Sequence, residues 1–433
     1  MPRKLIVFII LLTLFSFLIR IYRITEPNRY YFDEVYHAVT AKAYAQNNRA
    51  AYNPFSPPPQ EGTAYDWLHP PLAKLIQAGS IKVLSDRSLA WRLPSAVFGT
   101  GIIVATFALA YILFGPLVAV FSSTIIAFEN LNLVMSRITM NDVFITFFAL
   151  CAFIFSWLYL RKSQTKYLLL TSVFLGLAWA SKWTGLYAIA AVFSYILIYQ
   201  IRGLVSRKLE IKHRKLDFKI LILLIIPPII YVVSYFQYFI QGYTVQDFIG
   251  LHKQIWWYQN RHDLEHSYGT TPLFCVPKGT NVEKSWCPWV LDIRGVYFSY
   301  EQYGSEKAGY IYALGNPIIF WLGFIAISYM LGKFIQTRSS KILYILVGYF
   351  IFWMPWIFTP RLLFLYHYLP AIPFLAIAAG YALTDIYKTR FKIAAIILLL
   401  VMIAAFFYFY PISSGWPIKT ESINHFMWLS TWR

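Results

Sequence analysis

Charge is scarce in this chain of 433 residues: Asp, Glu, Lys and Arg together make up 13%, and 19 acidic side chains face 38 basic ones. A soluble domain of this length carries about a quarter charged residues, so this composition excludes an ordinary water-soluble globule. Cysteine is scarcer still, with three residues, which excludes a disulfide scaffold. Cys151 falls in an apolar run and reads as a packed residue. Cys275 and Cys287 share one polar segment, and spacing alone leaves their pairing open. Internal repeats, low-complexity tracts and a soluble catalytic domain are absent. The stretch from Pro54 to Pro59 is a stiff connector without a phosphate-cradling glycine pattern. His252, His262 and His266 lack a zinc-ligand spacing, and the alternation of a membrane β-barrel is missing.

What fills the chain is apolar: 58% of it is hydrophobic, in runs of roughly 18 to 22 residues, enough to cross about 30 Å of hydrocarbon as helix. The runs are Leu5–Ile21, Ser95–Phe114, Leu117–Val134, Val143–Leu160, Leu168–Ala180 and Thr184–Tyr199. They continue with Ile220–Ile240, Ile311–Leu331, Ile342–Phe358, Leu362–Leu383 and Ile393–Tyr410. That predicts an all-α integral membrane protein with about eleven transmembrane helices. The first run follows Met-Pro-Arg-Lys but precedes no small-residue cleavage site, so it reads as a retained helix.

Charge orients the bundle. Arg3 and Lys4, Arg161 and Lys162, Arg207 to Lys215, Lys333 to Lys341, and Lys388 to Lys392 mark every second loop, apart from a tight Gly115-Pro116 turn. The positive-inside rule then predicts a cytoplasmic N-terminus and an odd number of spans in a multi-pass chain. The net charge of +19 is thereby a topology signal with anionic-lipid contact and needs no nucleic acid. Two outside segments are long, 23–92 and 241–310, within a single domain spanning 1–433.

The unusual polar residues fall on that outside face. Tyr30-Tyr31-Phe32-Asp33-Glu34-Val35-Tyr36-His37 follows the first span. Its carboxylates fit a general base in a desolvated pocket, and equally the acidic start of a helix. In Tyr65-Asp66-Trp67-Leu68-His69-Pro70-Pro71 the prolines fix entry into a helix, and His69 fits a sugar, phosphate or metal contact as well as a structural role. Arg92, Arg137, Asp142, Lys182, Arg361 and His367 lie at or near the same boundary. Charge there is costly unless paired or facing a cavity. Guanidinium groups suit the phosphate of a lipid head group. In the segment 241–310, Trp256, Trp257 and Tyr258 fit an interfacial belt or a sugar-stacking surface, and the segment reads as a surface helix and partial lid.

Five motifs occur in order: Phe32-Asp33-Glu34-Val35, His69-Pro70-Pro71-Leu72-Ala73-Lys74, Ser136-Arg137-Ile138 with Asp142, Ser181-Lys182-Trp183-Thr184-Gly185-Leu186, and Leu365-Tyr366-His367-Tyr368-Leu369-Pro370. The series resembles the protein O-mannosyltransferases, membrane glycosyltransferases of the GT-C fold that use dolichyl- or polyprenyl-phosphate mannose. The segment 241–310 is too short for the MIR domain of eukaryotic members, which suits a prokaryotic type. The resemblance implies a GT-C fold with a helical first extracytoplasmic loop and the active site on that side. It implies transfer of mannose or a related hexose to Ser or Thr hydroxyls of exported proteins, with inversion in one displacement. Asp33 would be the general base and Glu34 would orient acceptor or sugar. His69 would shape the pocket, and Arg137 and Arg361, with Arg92 and Lys182, would hold the phosphate. The implied partners are the lipid-linked donor, a secreted or membrane protein acceptor and membrane lipids. No cofactor is required, although Asp33, Glu34, Asp66 and His69 could hold a divalent metal. One alternative keeps the fold and changes the acceptor to a glycolipid or cell-envelope glycan, as in lipid A aminoarabinose transferases. Another, a transporter, would call for repeat symmetry and polar groups at mid-membrane.

Overall fold

The structure, a computed structural model, describes residues 1–205, 217–261, 287–359 and 363–432. Most of the apolar runs become helix among the described residues. The first helix, α1 (Arg3–Ile21), is followed by the loop helices α2 (Glu34–Ala45) and α3 (Leu72–Leu84). The long α4 (Ser88–Phe114) then turns straight into α5 (Pro116–Ala127). Gly115 makes that turn at φ +93°, a conformation open to glycine, and Pro116 starts the next helix where its missing N–H costs nothing. A short α6 (Asn130–Met135) leads to α7 (Asp142–Lys162), α8 (Thr165–Ser181) and α9 (Gly185–Val205). The run around Pro227-Pro228 forms α10 (Ile222–Ser234) and α11 (Phe236–Ile240), before the surface helix α12 (Val245–Gln259). The last helices of the bundle are α13 (Pro317–Thr337), α14 (Ser340–Trp353), α15 (Ile372–Tyr387) and α16 (Lys392–Ser414).

Seven segments among the described residues are long and apolar enough to cross a membrane. Three shorter apolar helices, over 116–127, 185–201 and 218–234, fall on further expected runs, as does α8. The inner helices are buried against one another. Gly99 of α4 lies so close to Ser136 that a Cβ would collide with its side chain, a small-residue contact that brings the chain beyond α6 against α4.

The fold is mostly helical, as expected, and the bounds of two spans are corrected. Within the bundle, β1 (Val296–Tyr303) and β2 (Lys307–Ala313) form an antiparallel hairpin, and β3 (Ile418–Lys419) adds to β2. The span expected from Ile311 therefore starts at Pro317. Ile311 to Ala313 is committed to the strand, and Asn316 caps the helix by accepting from the N–H of Ile318 at 3.2 Å and of Ile319 at 3.3 Å. Likewise the run 117–134 breaks at Glu129, whose carboxylate accepts from the N–H of Leu131 and Asn132 at 2.9 and 2.6 Å. The same carboxylate reaches the N–H of Asn316 at 3.2 Å, while the Asn316 amide donates to the carbonyls of Phe128 and Met402 at 3.1 and 2.8 Å. That buried node joins α6, α13 and α16.

Candidate active site

Asp33 stands at the start of α2, and its side chain makes no capping bond to that helix. The acidic helix start is present, with Asp33 at the N-cap position and Glu34 in the first turn, while the Asp33 carboxylate itself points to other partners. Phe32, just before it, holds φ +48°, a left-handed conformation that strains a bulky residue. An aromatic cage over-determines it: Phe32 stacks on Phe298 of β1 at 4.1 Å between centroids and meets Phe364 and Tyr366 edge-on at 6.0 and 5.9 Å. The unexpected hairpin therefore helps aim Asp33.

The Tyr366 hydroxyl donates to Asp33 Oδ2 at 3.3 Å. Burial raises the Asp33 carboxyl above the ordinary carboxylate range, against the opposing pull of His37, Tyr366 and Lys182. A carboxylate tuned upward in this way is a stronger base, as proton abstraction from a hydroxyl requires. Tyr366 touches both sides of the site: Lys182 Nζ lies 5.9 Å from its ring centroid.

Lys182 donates to Asp142 Oδ1 at 2.8 Å, with both side chains buried. This pair fixes the ammonium at the rim of a cleft of about 330 Å³. The cleft is lined by His69, Lys182, Trp183, Trp356 and His367, together with Trp256, Gln259 and Asn260 of the α12 end. It gathers three of the expected substrate-binding residues, and the end of the surface helix lines it with them. His367 stacks on Tyr366 and on Trp289, at 4.6 and 6.2 Å between centroids. A larger groove of about 560 Å³ opens between α13, α15 and α16, but it is mostly apolar and shares no lining residue with this cleft.

Other expected residues are placed elsewhere. Glu34 and Arg92 are completely buried and face each other, with Nε and Nη2 of Arg92 donating to the two carboxylate oxygens at 2.8 Å each. The remaining donors of Arg92 go to the carbonyls of Ile24, Pro27 and Arg29 at 2.8 to 3.0 Å. Glu34 also accepts from the N–H of Thr139 at 3.1 Å. Arg137 bonds the carbonyls of Arg20, Tyr22 and Arg23 at 2.6, 2.8 and 3.2 Å, and that of Ser414 at 3.1 Å. It thereby closes the carbonyl end of α1, where a cation is favoured, and ties it to the end of α16. None of the three lines the cleft. Arg361 and Cys275 lie outside the described residues.

Sequence reasoning gave no role to Tyr366, His37 or Lys74, and named Asp66 only as a candidate metal ligand. Yet Asp66 is the hub of the first loop: His37, His69 and Lys74 all converge on it. The signals were present in the His37 position one turn beyond Asp33 and in the Asp66-x-x-His69 spacing.

A half-buried carboxylate near a paired ammonium, beside a polar cleft in a many-helix membrane bundle, fits a membrane glycosyltransferase of the GT-C type. The chain belongs to the dolichyl-phosphate-mannose-protein mannosyltransferase family, whose model matches residues 10–241, and the model of the family's C-terminal four-helix membrane region matches 244–432. It is 27% identical to a polyprenol-phosphate-mannose–protein mannosyltransferase of Corynebacterium glutamicum, over 84% of this chain and 81% of that one. Identity to the counterpart in Mycolicibacterium smegmatis is 23%, over 94% and 89%. The fold matches a chain of the Saccharomyces cerevisiae Pmt1-Pmt2 complex bound to its sugar donor, with TM-score 0.80, 16% identity and coverage of 100% and 93%. It also matches ArnT of Cupriavidus metallidurans bound to undecaprenyl phosphate, with TM-score 0.59, 14% identity and coverage of 93% and 64%. Membership of this family favours the glycosyltransferase over the transporter.

Proposed function

We propose that this enzyme transfers mannose from a polyprenyl-phosphate carrier to Ser or Thr hydroxyls of proteins that reach the extracytoplasmic face of the plasma membrane. The observation that carries the reading is the placement of Asp33: half-buried, with its carboxylate making no capping bond to the helix and accepting from Tyr366, whose ring also meets Lys182 of the cleft. Asp33 takes the hydroxyl proton as the oxygen attacks the anomeric carbon from the face opposite the phosphate. The C–O bond to phosphate breaks, configuration inverts, and the lipid phosphate leaves with the electron pair. Lys182, steadied by Asp142, offers positive charge where the leaving phosphate gains negative charge, which is the main electrostatic contribution to such a step. Arg361 is proposed to share that load.

Glu34, Arg92 and Arg137 are reassigned from substrate contacts to scaffold. Glu34 and Arg92 pair with each other, Arg137 is bonded to backbone carbonyls, and the donors of Arg92 are all occupied, leaving none for a phosphate. His367 is proposed to shape the aromatic wall of the cleft. The reaction as written needs no metal.

The test is transfer by the purified protein from defined polyprenyl-phosphate sugars to a Ser/Thr peptide. Mannosylated peptide with inverted anomeric configuration is expected. Transfer to a glycolipid and none to peptide would replace the protein acceptor with the other reading. The relatives named as protein mannosyltransferases and the higher score of the Pmt1-Pmt2 chain over ArnT support the protein acceptor.

A further inference from the structure

Behind the cleft, one carboxylate organises three nitrogen groups. Asp66 is 4% exposed and Lys74 is fully buried. Lys74 Nζ donates to Asp66 Oδ2 at 2.8 Å and to the Asp66 carbonyl at 2.6 Å. His69 Nδ1 lies 2.9 Å from Oδ1 and 3.1 Å from Oδ2. His37 Nδ1 is 2.9 Å from Oδ2, but out of line for a formed hydrogen bond. The N–H of Asp66 donates to Thr40 Oγ1 at 2.7 Å, which pins its backbone to α2.

An ionised carboxylate only accepts hydrogen bonds, so it decides which nitrogen of a facing imidazole carries the proton. Asp66 is ionised: although burial works against it, His69, Lys74 and His37 hold its carboxyl well below the usual range. His69 therefore directs Nδ1–H at Asp66. Burial, outweighing the attraction of Asp66, pushes the His69 imidazolium down to about 4, so the ring is neutral at neutral pH. Nε2, on the far side of the ring, keeps its lone pair, and His69 lines the cleft.

We propose that Asp66, backed by Lys74, is a positioning residue that makes His69 a hydrogen-bond acceptor on the cleft wall, where Nε2 reads a hydroxyl of the transferred sugar. The inference rests on the sugar-transfer reading above and adds a division of labour to it. A lone pair cannot bind a phosphate oxygen, which is itself an acceptor, so the phosphate falls to Lys182 and a sugar hydroxyl to His69. His37, Asp66 and His69 also bring three donor atoms within 4.8 Å of one another, close enough for a metal ion. An ion there would sit against the Lys74 ammonium, 2.8 Å from its one anionic ligand. That repulsion favours the hydrogen-bonded cluster.

The experiment measures transfer from polyprenyl-phosphate mannose, and from analogues lacking one hydroxyl each, by the wild type, His69→Phe, His69→Gln and Asp66→Asn. The wild type is expected to disfavour one analogue by about 10- to 100-fold in kcat/KM, the scale of one buried hydrogen bond left unmade. His69→Phe is expected to accept parent and analogue alike, while His69→Gln, which can still accept, retains part of the preference. Asp66→Asn is expected to lose the preference with His69 still present, as a wrong tautomer does in a Ser-His-Asp triad. Equal rejection of every analogue by the wild type and His69→Phe would overturn the proposal. So would a stoichiometric divalent metal in the purified protein that disappears in His69→Phe. Failure of the wild type to use the parent donor would instead remove the underlying reading. His69→Phe, on the cleft wall, keeps the test open if Asp66→Asn does not fold.

Discussion

Arg92 meets Glu34 through two parallel hydrogen bonds of 2.8 Å, and neither side chain reaches solvent. A guanidinium so completely matched has no donor left for a substrate phosphate. Loss of one partner leaves the other charge buried and unpaired, at a cost of about 3–5 kcal/mol. Arg92→Leu is therefore expected to lower the thermal midpoint in detergent sharply, and Arg92→Leu with Glu34→Leu to recover much of the loss. A normally stable Arg92→Leu protein with a raised KM for the donor would return Arg92 to the binding site.

Asp33→Asn is expected to reduce kcat by about 10²- to 10⁴-fold, the usual contribution of a general base, with donor binding retained. Its effect on stability has the opposite sign. Burial raises the Asp33 carboxyl in the folded state, so ionisation at neutral pH costs stability: the contribution is full below the unfolded pKa and is lost as pH rises through the folded one. The variant should unfold at the same or a higher temperature than the wild type at pH 7. A less stable Asp33→Asn protein would contradict the burial argument.

Tyr366→Phe removes the hydroxyl that donates to Asp33 and helps hold its proton affinity down. The acidic limb of the pH–rate profile, where activity appears as Asp33 ionises, should move to higher pH. At alkaline pH the variant should approach the wild-type rate. A profile lowered uniformly, without movement of that limb, would assign Tyr366 to packing alone.

Lys182→Met is expected to slow transfer by about 10²- to 10³-fold, as loss of one preorganised charge-stabilising group does. Asp142→Asn should have a smaller effect, because it loosens the ammonium without removing it. Single-turnover rates with saturating donor would check both. Equal losses in the two variants would show that the pair acts as a structural unit.

The bundle was legible because apolar runs of membrane length admit few alternatives. The first-loop motif was legible because carboxylates beside aromatic residues are uncommon just beyond a membrane span. What the chain did not disclose was pairing. Arg92 and Glu34 lie 58 positions apart, and nothing in either motif says that they meet. Arg137 resembled a phosphate ligand because its partners are backbone carbonyls, which carry no sequence signature. The hairpin over 296–313 was hidden for a related reason: its second strand is buried along most of its length without alternating, and it merges at Ile311 with the apolar run that follows. His37 and Asp66 were visible as letters, but their convergence on one hub depends on how α2 and α3 pack.

The buried node at Glu129 also bears on how divisible the molecule is. The two family models meet between residues 241 and 244, which invites division of the chain into two modules. Glu129, Phe128 and α6 lie on one side of that boundary, and Asn316 and Met402 on the other. Cutting the polypeptide in that loop would leave one fragment with a carboxylate that has lost the Asn316 N–H, and the other with an amide that has lost the Phe128 carbonyl. Neither fragment is expected to mature alone. Co-expressed, they should find each other and complement.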